Sequence, residues 1–429
     1  MANGRFRFVI ATLLFAAGSI NYMDRAALGI VAPLVRKELN LSPSQLGVIF
    51  SSFFVGYAIF SFLGGHLADR LGPRRVFSWA MGGWSFLCGL TALVTGFTSL
   101  LVCRTVFGCG EGPMNTTTNR TIMNWFPRNE TGRTVGFTFA GQTFGNAIAA
   151  PIVGLLSVAL GWRVAFVIIA VLGFCWLALW RWLVTDYPAQ NRYVGKEEVR
   201  LVQESRAEVT RLESDDDEVP LRAYLTRPSI LAVGVALFAV NYTLYVFLNW
   251  LPSYFTDALH MDMKRMSILA SIPWTCAAVG TIGGGILSDI LFKHIKNAVK
   301  ARKIAVVVPL AMVGVFLAVV SFVTQIVLAI TLVAALLFTL QVAAPGIWSL
   351  EHELVPSRHL GGIGGFIHLL ANISGMIGPV VTGVIVQYFG GYGGAFKVAA
   401  GICACGAILM AIVVKSRVTS KGVAAAHVG

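Results

Sequence analysis

The chain has 429 residues, of which 56% are hydrophobic and 12% charged, against about 45–50% apolar and 25% charged in an ordinary soluble protein. That balance excludes a water-soluble globule, and at about 20 apolar residues per bilayer crossing the length accommodates about twelve membrane helices. The formal charge of +13 would point to nucleic acid in a soluble protein. Here it sorts by side of the membrane, and no basic surface interleaved with aromatics is left for a nucleic acid.

In chain order, apolar runs predict spans at 8–31, 44–67, 75–95, 98–121, 133–157 and 162–184, then at 228–254, 266–291, 304–322, 325–349, 360–387 and 393–415. The first run is too long for a secretory signal, carries Asp24 and Arg25, and is followed by further spans. Between the two sets of six lies a charged segment, 185–227, ending in the acidic run Glu213, Asp215, Asp216, Asp217 and Glu218. It cannot cross a bilayer and reads as a soluble linker with an amphipathic helix around Glu197 to Leu212. The expected organisation is an N-terminal six-helix bundle (1–184), the linker (185–227) and a C-terminal six-helix bundle (228–429).

Placing both termini and the even-numbered loops on one side collects seventeen Lys and Arg residues, against six on the other. The positive-inside rule then puts both termini and the linker in the cytoplasm, in a multi-pass protein of the cell's inner (plasma) membrane. The seven cysteines lie almost wholly in apolar runs without metal-ligand spacing, so they read as buried packing groups; this includes Cys403 and Cys405. No metal or other cofactor is expected.

The halves repeat each other. Asn21-Tyr22 recurs as Asn241-Tyr242, and Gly65-His-Leu-Ala-Asp69 as Gly285-Ile-Leu-Ser-Asp289, both at an offset of 220. At an offset of 229 or 230, Pro127, Gly136-Phe137 and Gly161-Trp-Arg-Val-Ala-Phe166 match Pro356, Gly365-Phe366 and Gly391-Tyr-Gly-Gly-Ala-Phe396. Several matches in register mean duplication. A repeated six-helix unit predicts a cavity where the halves meet, reached alternately from either side.

Three clusters carry the chemistry. Gly65-His-Leu-Ala-Asp69-Arg70-Leu-Gly72-Pro-Arg74-Arg75 follows span 2; an Asp among arginines there can lock helix ends by ion pairing and by accepting from a helix N-terminus. In span 4, Arg104 and Glu111 stand seven residues apart on one helix face, with Gly108 and Gly112 on a neighbouring stripe where another helix can approach. Near the end of span 1, Asn21, Tyr22 and Arg25 share a face while Asp24 points about 100° away, so the two charges need different partners. A charge at membrane depth costs about 2.5–3.5 kcal/mol or more unless paired or wet, which predicts that all four ionisable groups face a water-filled cavity. Two acids and two bases sum to zero, and protonating one acid leaves net positive charge. That is the electrostatic requirement for holding an anion together with a proton. The C-terminal half supplies neutral polar and aromatic groups: Tyr242, Tyr245 and Asn249 at i, i+3, i+7, with Gln341, Trp348, His368, Asn372 and Ser374. Asn115-Thr-Thr, Asn119-Arg-Thr and Asn129-Glu-Thr fit the glycosylation pattern but fall in or on the cytoplasmic side of span 4, so they are chance matches.

The loop after span 2 resembles the signature of the major facilitator superfamily, Gly-x-Leu-x-Asp-Arg-x-Gly-x-Arg-Arg/Lys, and the copy ending at Asp289 falls where that family places its second. The resemblance implies an all-α membrane protein of twelve transmembrane helices in two pseudo-symmetric six-helix bundles. It implies conformational gating by Gly65, Asp69, Arg70, Arg74 and Asp289. The charged clusters are similar to those of the anion:cation symporter branch, with its galactonate, glucarate and hexuronate transporters. Tyr22, Asp24-Arg25, Tyr57, Arg104, Glu111, Gln142 and Asn372 match positions lining the site of galactonate-type members, and Trp348 and Ser349 match approximately.

The resulting expectation is a proton-coupled symporter, not an enzyme, importing a small organic anion such as a hexonate, hexarate or hexuronate by alternating access. It is expected to act as a monomer, with protons as coupling ion. Arg25, with Tyr22 and Tyr57, would hold the carboxylate; Gln142, Tyr242, Trp348, Ser349 and Asn372 would complete the substrate site; Asp24, Glu111 and Arg104 would couple the proton. Aromatic or simple dicarboxylic acids, or an organic-phosphate antiport, are the alternatives. Phosphate exchange usually wants arginines from both halves, and spans 7 to 12 offer none. An embedded enzyme or a primary pump would need motifs such as His-x-x-x-His, Gly-x-Ser-x-Gly or a Walker loop, and the chain has none of these.

Overall fold

The computed structural model describes residues 5–212, 222–295, 297–355 and 359–414. The acidic run Glu213–Glu218, Pro356 and the basic residues Lys296, Arg358, Lys415, Arg417 and Lys421 lie outside the described residues. Among the described residues the regular structure is entirely helical. In chain order come α1 (Phe6–Glu38), α2 (Pro43–Leu71), α3 (Pro73–Leu90), α4 (Phe97–Glu111), α5 (Met114–Trp125), α6 (Arg128–Leu160), α7 (Trp162–Leu183), α8 (Lys196–Leu212) and α9 (Arg222–Leu225). They are followed by α10 (Pro228–Ser253), α11 (Met263–Leu269), α12 (Ser271–Ile295), α13 (Ala298–Val320), α14 (Ile326–Leu354), α15 (Leu360–Tyr388) and α16 (Tyr392–Val413).

Among the described residues, eleven helical stretches are long and apolar enough to cross a membrane. The fourth expected span, 98–121, is the one missing from that set: Gly112 and Pro113 divide it into α4 and α5, because Pro113 has no N–H for the helix ladder. The break sets Glu111 at the last position of α4, directly before the interrupted turn. The chain divides into two compact units, one of Met1–Ser214 with Asp262–Ser271, the other of Asp215–Met261 with Ile272–Gly429.

In unit 1, α1 packs along α6 and α2 along α4. At Gly108 a Cβ would come within 2.0 Å of the Phe53 carbonyl oxygen of α2, so only glycine allows this approach of backbones. The α1–α6 seam carries a hydrogen bond from Ser19 Oγ to the Gly141 carbonyl, 3.0 Å. The linker helix forms where the charge pattern predicts it and is docked: Glu198 Oε1 and Oε2 accept from the Arg7 and Phe6 backbone N–H groups at 2.9 and 3.2 Å, satisfying orphan donors at the start of α1. Arg7 joins Glu198 (3.2 Å) to Glu130 (2.8 Å) at the start of α6. The short α11 also belongs to this unit and packs on α6, where Ser267 Oγ occupies the space above Gly154.

Unit 2 is built around α10, which packs on α14, α15 and α16, with α13 against α14 and α16. Tyr245 Oη donates to Asn372 Oδ1 at 3.3 Å across α10 and α15, and Asn372 Nδ2 donates to the His368 carbonyl at 2.9 Å.

Candidate functional site

Seven of the sequence-predicted site residues meet inside unit 1. Arg25, on α1, donates from Nη2 and Nε to a single oxygen, Oε2 of Glu111 on α4, at 2.8 and 3.1 Å. The side chains are 3% and 0% exposed. The guanidinium is wrapped by aromatic rings, its Cζ lying 4.8, 5.0 and 4.7 Å from the centroids of Tyr22, Phe53 and Tyr57. Desolvated cation–π contacts of this kind are worth about 2 kcal/mol and help offset the loss of hydration around the pair.

The other acid and base lie close by without pairing in the same way. Asp24, 1% exposed, accepts a weak bond from Cys88 Sγ at 3.9 Å; the Trp84 indole lies beside the carboxylate outside hydrogen-bonding geometry. Arg104, 2% exposed, lies over Phe107 at 4.7 Å and Phe53 at 5.2 Å, and its Nε has no partner among the described residues. It is within electrostatic range of both Asp24 and Glu111. Adjacent Asp24 and Arg25 therefore take different partners, as their angular separation requires. Glu111, which shares a helix face with Arg104, is held instead by Arg25.

One expectation needs correction. The cost of membrane charge predicts that these four groups face a water-filled cavity, yet each is at most 3% exposed in this structure. Mutual neutralisation and ring faces stabilise them here in place of water. The cluster retains unmet hydrogen-bonding capacity: Glu111 Oε1, Arg104 Nε and both polar atoms of the fully buried Asn21 are unpartnered among the described residues. Buried polar atoms left this way cost about 1–3 kcal/mol each, so the arrangement is suited to receiving a polar ligand or water.

The remaining predicted residues divide by unit. Gln142, on α6, belongs to the unit 1 cluster through a residue that sequence reasoning set aside, Asn115. Gln142 Nε2 donates to Asn115 Oδ1 at 2.8 Å, and Asn115 Nδ2 donates to Tyr57 Oη at 3.3 Å. Residues 104, 111 and 115 continue one helical spacing, and that was the available signal; the Gly112–Pro113 break and the glycosylation-like triplet obscured it. In unit 2, Tyr242 is 1% exposed with its hydroxyl unpartnered among the described residues, Asn372 binds Tyr245, Trp348 is 41% exposed with its ring 6.1 Å from His368, and Ser349 is half-buried.

Of the gating set, Asp69 pairs with Arg120 Nε at 3.3 Å and Asp289 with Arg302 Nη1 at 3.0 Å. Arg70 is exposed and Gly65 lies against Thr116. The carboxylate that accepts from the start of α3 is not Asp69 but Asp186, which takes the Arg74 N–H at 2.9 Å. Asp186 fills the space above Gly72, whose φ of +85° suits glycine. The buried acids are also not confined to the first half: Glu351 of α14 is 4% exposed. Its place three residues before the helix end, beside His352 and Glu353, gave it the sequence character of a flanking residue.

The pattern of the Major Facilitator Superfamily matches residues 14–378. The chain belongs to that superfamily. A hexuronate transporter of Bacillus subtilis (strain 168) is 39% identical over 395 residues, 92% of this chain and 91% of that one. A probable sulfoacetate transporter of Cupriavidus necator (strain H16) is 31% identical over 393 residues, 91% of this chain and 89% of that one. Among solved structures, the crystal structure of a D-xylose-proton symporter superposes with a TM-score of 0.76 at 16% identity, covering 95% of this chain and 98% of that one; at that identity the likeness concerns the fold.

Proposed function

We propose that this member of the superfamily is a proton-coupled symporter that imports a small sugar acid, a hexuronate before others, across the plasma membrane by alternating access, with both termini in the cytoplasm. It acts as a monomer and needs no cofactor beyond the coupling proton. The name of the 39%-identical relative supports the substrate class, and the seventeen-to-six distribution of basic residues supports the orientation.

The observation that carries the reading is the buried Arg25–Glu111 pair. A substrate carboxylate needs the same guanidinium that Glu111 occupies. Two carboxylates on one arginine would leave net negative charge in a desolvated site, which is strongly unfavourable. If Glu111 first takes a proton, it becomes neutral, Arg25 is released, and the substrate carboxylate replaces it with charge-assisted hydrogen bonds. Tyr22 and Tyr57 flank the guanidinium and supply further donors. Proton and anion then enter together and the four-charge cluster stays neutral. Asp24 and Arg104 form the second acid–base couple and respond to the same charge change.

A phosphate antiport would draw on arginines from both halves, and among the described residues no Lys or Arg of unit 2 is buried. A smaller non-sugar anion is the second reading, supported by the name of the 31%-identical relative.

The test uses the protein in proteoliposomes with labelled D-glucuronate and an inward-directed proton gradient. The wild type accumulates the sugar acid above its equilibrium level. Glu111→Gln still exchanges internal for external substrate but does not accumulate it. Full uphill accumulation by that variant would remove Glu111 from the coupling role, and preferential uptake of sulfoacetate by the wild type would move the substrate to the second reading.

A further inference from the structure

Tyr57 on α2 and Gln142 on α6 are joined by one side chain, Asn115 of α5, whose Oδ1 accepts from Gln142 Nε2 at 2.8 Å and whose Nδ2 donates to Tyr57 Oη at 3.3 Å. Both neighbours are nearly excluded from solvent, at 3% and 7% exposure, and neither makes another hydrogen bond among the described residues. The direction of these two bonds decides what each neighbour has left. A phenol has one O–H donor besides its acceptor lone pairs. With an amide N–H pointing at its oxygen, Tyr57 keeps its own O–H as a donor, on a ring that lies 4.7 Å from the Arg25 guanidinium. Gln142 has one N–H committed to Asn115 and keeps its carbonyl oxygen as an acceptor. The pair thus offers a donor beside the cation, where a carboxylate binds, and an acceptor one amide further on, which calls for a hydroxyl.

We propose that Asn115 is a positioning residue that fixes the polarity of both groups and so selects a hydroxy acid over an acid of the same size without hydroxyls. The inference rests on the sugar-acid reading above and deepens it. A hydroxyl-free acid satisfies Arg25 and Tyr57 but leaves the Gln142 acceptor unpaired on desolvation. A site built to bond a hydroxyl discriminates against the analogue lacking it much more strongly than an apolar pocket discriminates by size. The polarity of Asn115 also explains why an isosteric acid is not a substitute. A carboxylate at 115 still accepts from Gln142, but it draws the Tyr57 O–H towards itself and takes that donor away from the substrate.

The test measures dissociation constants of detergent-purified full-length protein for D-glucuronate and for cyclohexanecarboxylate, which keeps the ring and the carboxylate but has no hydroxyl. The wild type prefers glucuronate. In Asn115→Ala the ratio of the two affinities falls about tenfold, the size of a hydrogen-bond effect, because the Gln142 acceptor is no longer held. In Asn115→Asp both affinities fall while their ratio is kept, because the carboxylate-binding donor is lost and Gln142 is still held. This opposite pattern separates positioning from general loosening and keeps the proposal testable if the alanine variant does not fold. Equal losses for both ligands in the alanine variant, or no change in either variant, would overturn it. A wild type that binds neither glucuronate nor other hexuronates would overturn the sugar-acid reading and this inference with it. A wild-type preference for glucuronate that Asn115→Ala leaves intact would sink this inference alone.

Discussion

In unit 1, two arginines and two carboxylates, Asp24, Arg25, Arg104 and Glu111, are at most 3% exposed, and Arg25 Nη2 donates to Glu111 Oε2 at 2.8 Å. In unit 2 the buried polar side chains of α10 and α15 are neutral: Tyr242, Thr243, Asn249, Asn372, Ser374 and Thr382 among them. The sequence pattern repeats between the halves, yet among the described residues the buried set of two acids and two arginines lies in the first unit. Charge belongs where binding must depend on ionisation, and neutral hydrogen-bonding groups belong where a ligand is recognised by shape and hydroxyls. On the reading proposed above, the proton couple belongs to unit 1, which also binds the carboxylate and reads a hydroxyl through Gln142, and unit 2 adds neutral recognition without coupling; each of the following measurements can break that assignment.

The largest effect is expected at Arg25. Arg25→Ala removes the charge-assisted contact to the substrate, about 1.5–3 kcal/mol or about 10- to 150-fold in affinity, and binding of D-glucuronate should become unmeasurable once the aromatic cage also loosens. The same change leaves Glu111 buried without its partner, at a cost of about 3–5 kcal/mol in stability. The double variant Arg25→Ala/Glu111→Gln separates the two consequences: melting temperature recovers toward wild type while binding stays absent. Binding that returns in the double variant would mean that Arg104 is the anion-holding arginine.

Much of this arrangement is legible in the amino-acid sequence, and the reasons why the rest is not are physical. Apolar runs located the membrane helices because hydrophobicity over about 20 residues has one dominant cause. Helix ends were harder: α1 runs to Glu38, seven residues beyond the predicted end of its apolar run, because Arg36, Lys37 and Glu38 remain helical, with Glu38 accepting from Trp162 Nε1 at 2.6 Å. The identity of the four charged residues followed from their cost in lipid. Their pairing did not, since Arg25 and Glu111 are 86 positions apart and helix spacing reports only neighbours within one helix. Asp186 was invisible for the same reason: its partner, the Arg74 N–H, is 112 positions away.

A smaller effect is expected from Asn372, held by Tyr245 at 3.3 Å and by the His368 carbonyl at 2.9 Å. Asn372→Ala removes a neutral hydrogen-bonding group, worth about 1 kcal/mol, so substrate affinity should fall about fivefold. If unit 2 recognises and does not couple, uptake measured from pH 5.5 to 8 keeps the wild-type profile, merely scaled. A shifted profile would place part of the proton chemistry in unit 2.

The smallest effect is expected at Glu351, the acid that sits least comfortably with the division between units. Its carboxylate is 4% exposed and lies over Gly364 of α15, where a Cβ would come within 2.7 Å of Oε1. No ion pair reaches it among the described residues. Breaking a buried pair is costly because a charge is left behind, but Glu351 has no such partner in the described structure, so Glu351→Gln leaves none. The variant should melt within about 1 kcal/mol of wild type, and its proton-driven accumulation of glucuronate should change less than twofold. Loss of accumulation with binding intact would show that a carboxylate on α14 carries a proton, and the assignment of coupling to unit 1 alone would have to be abandoned.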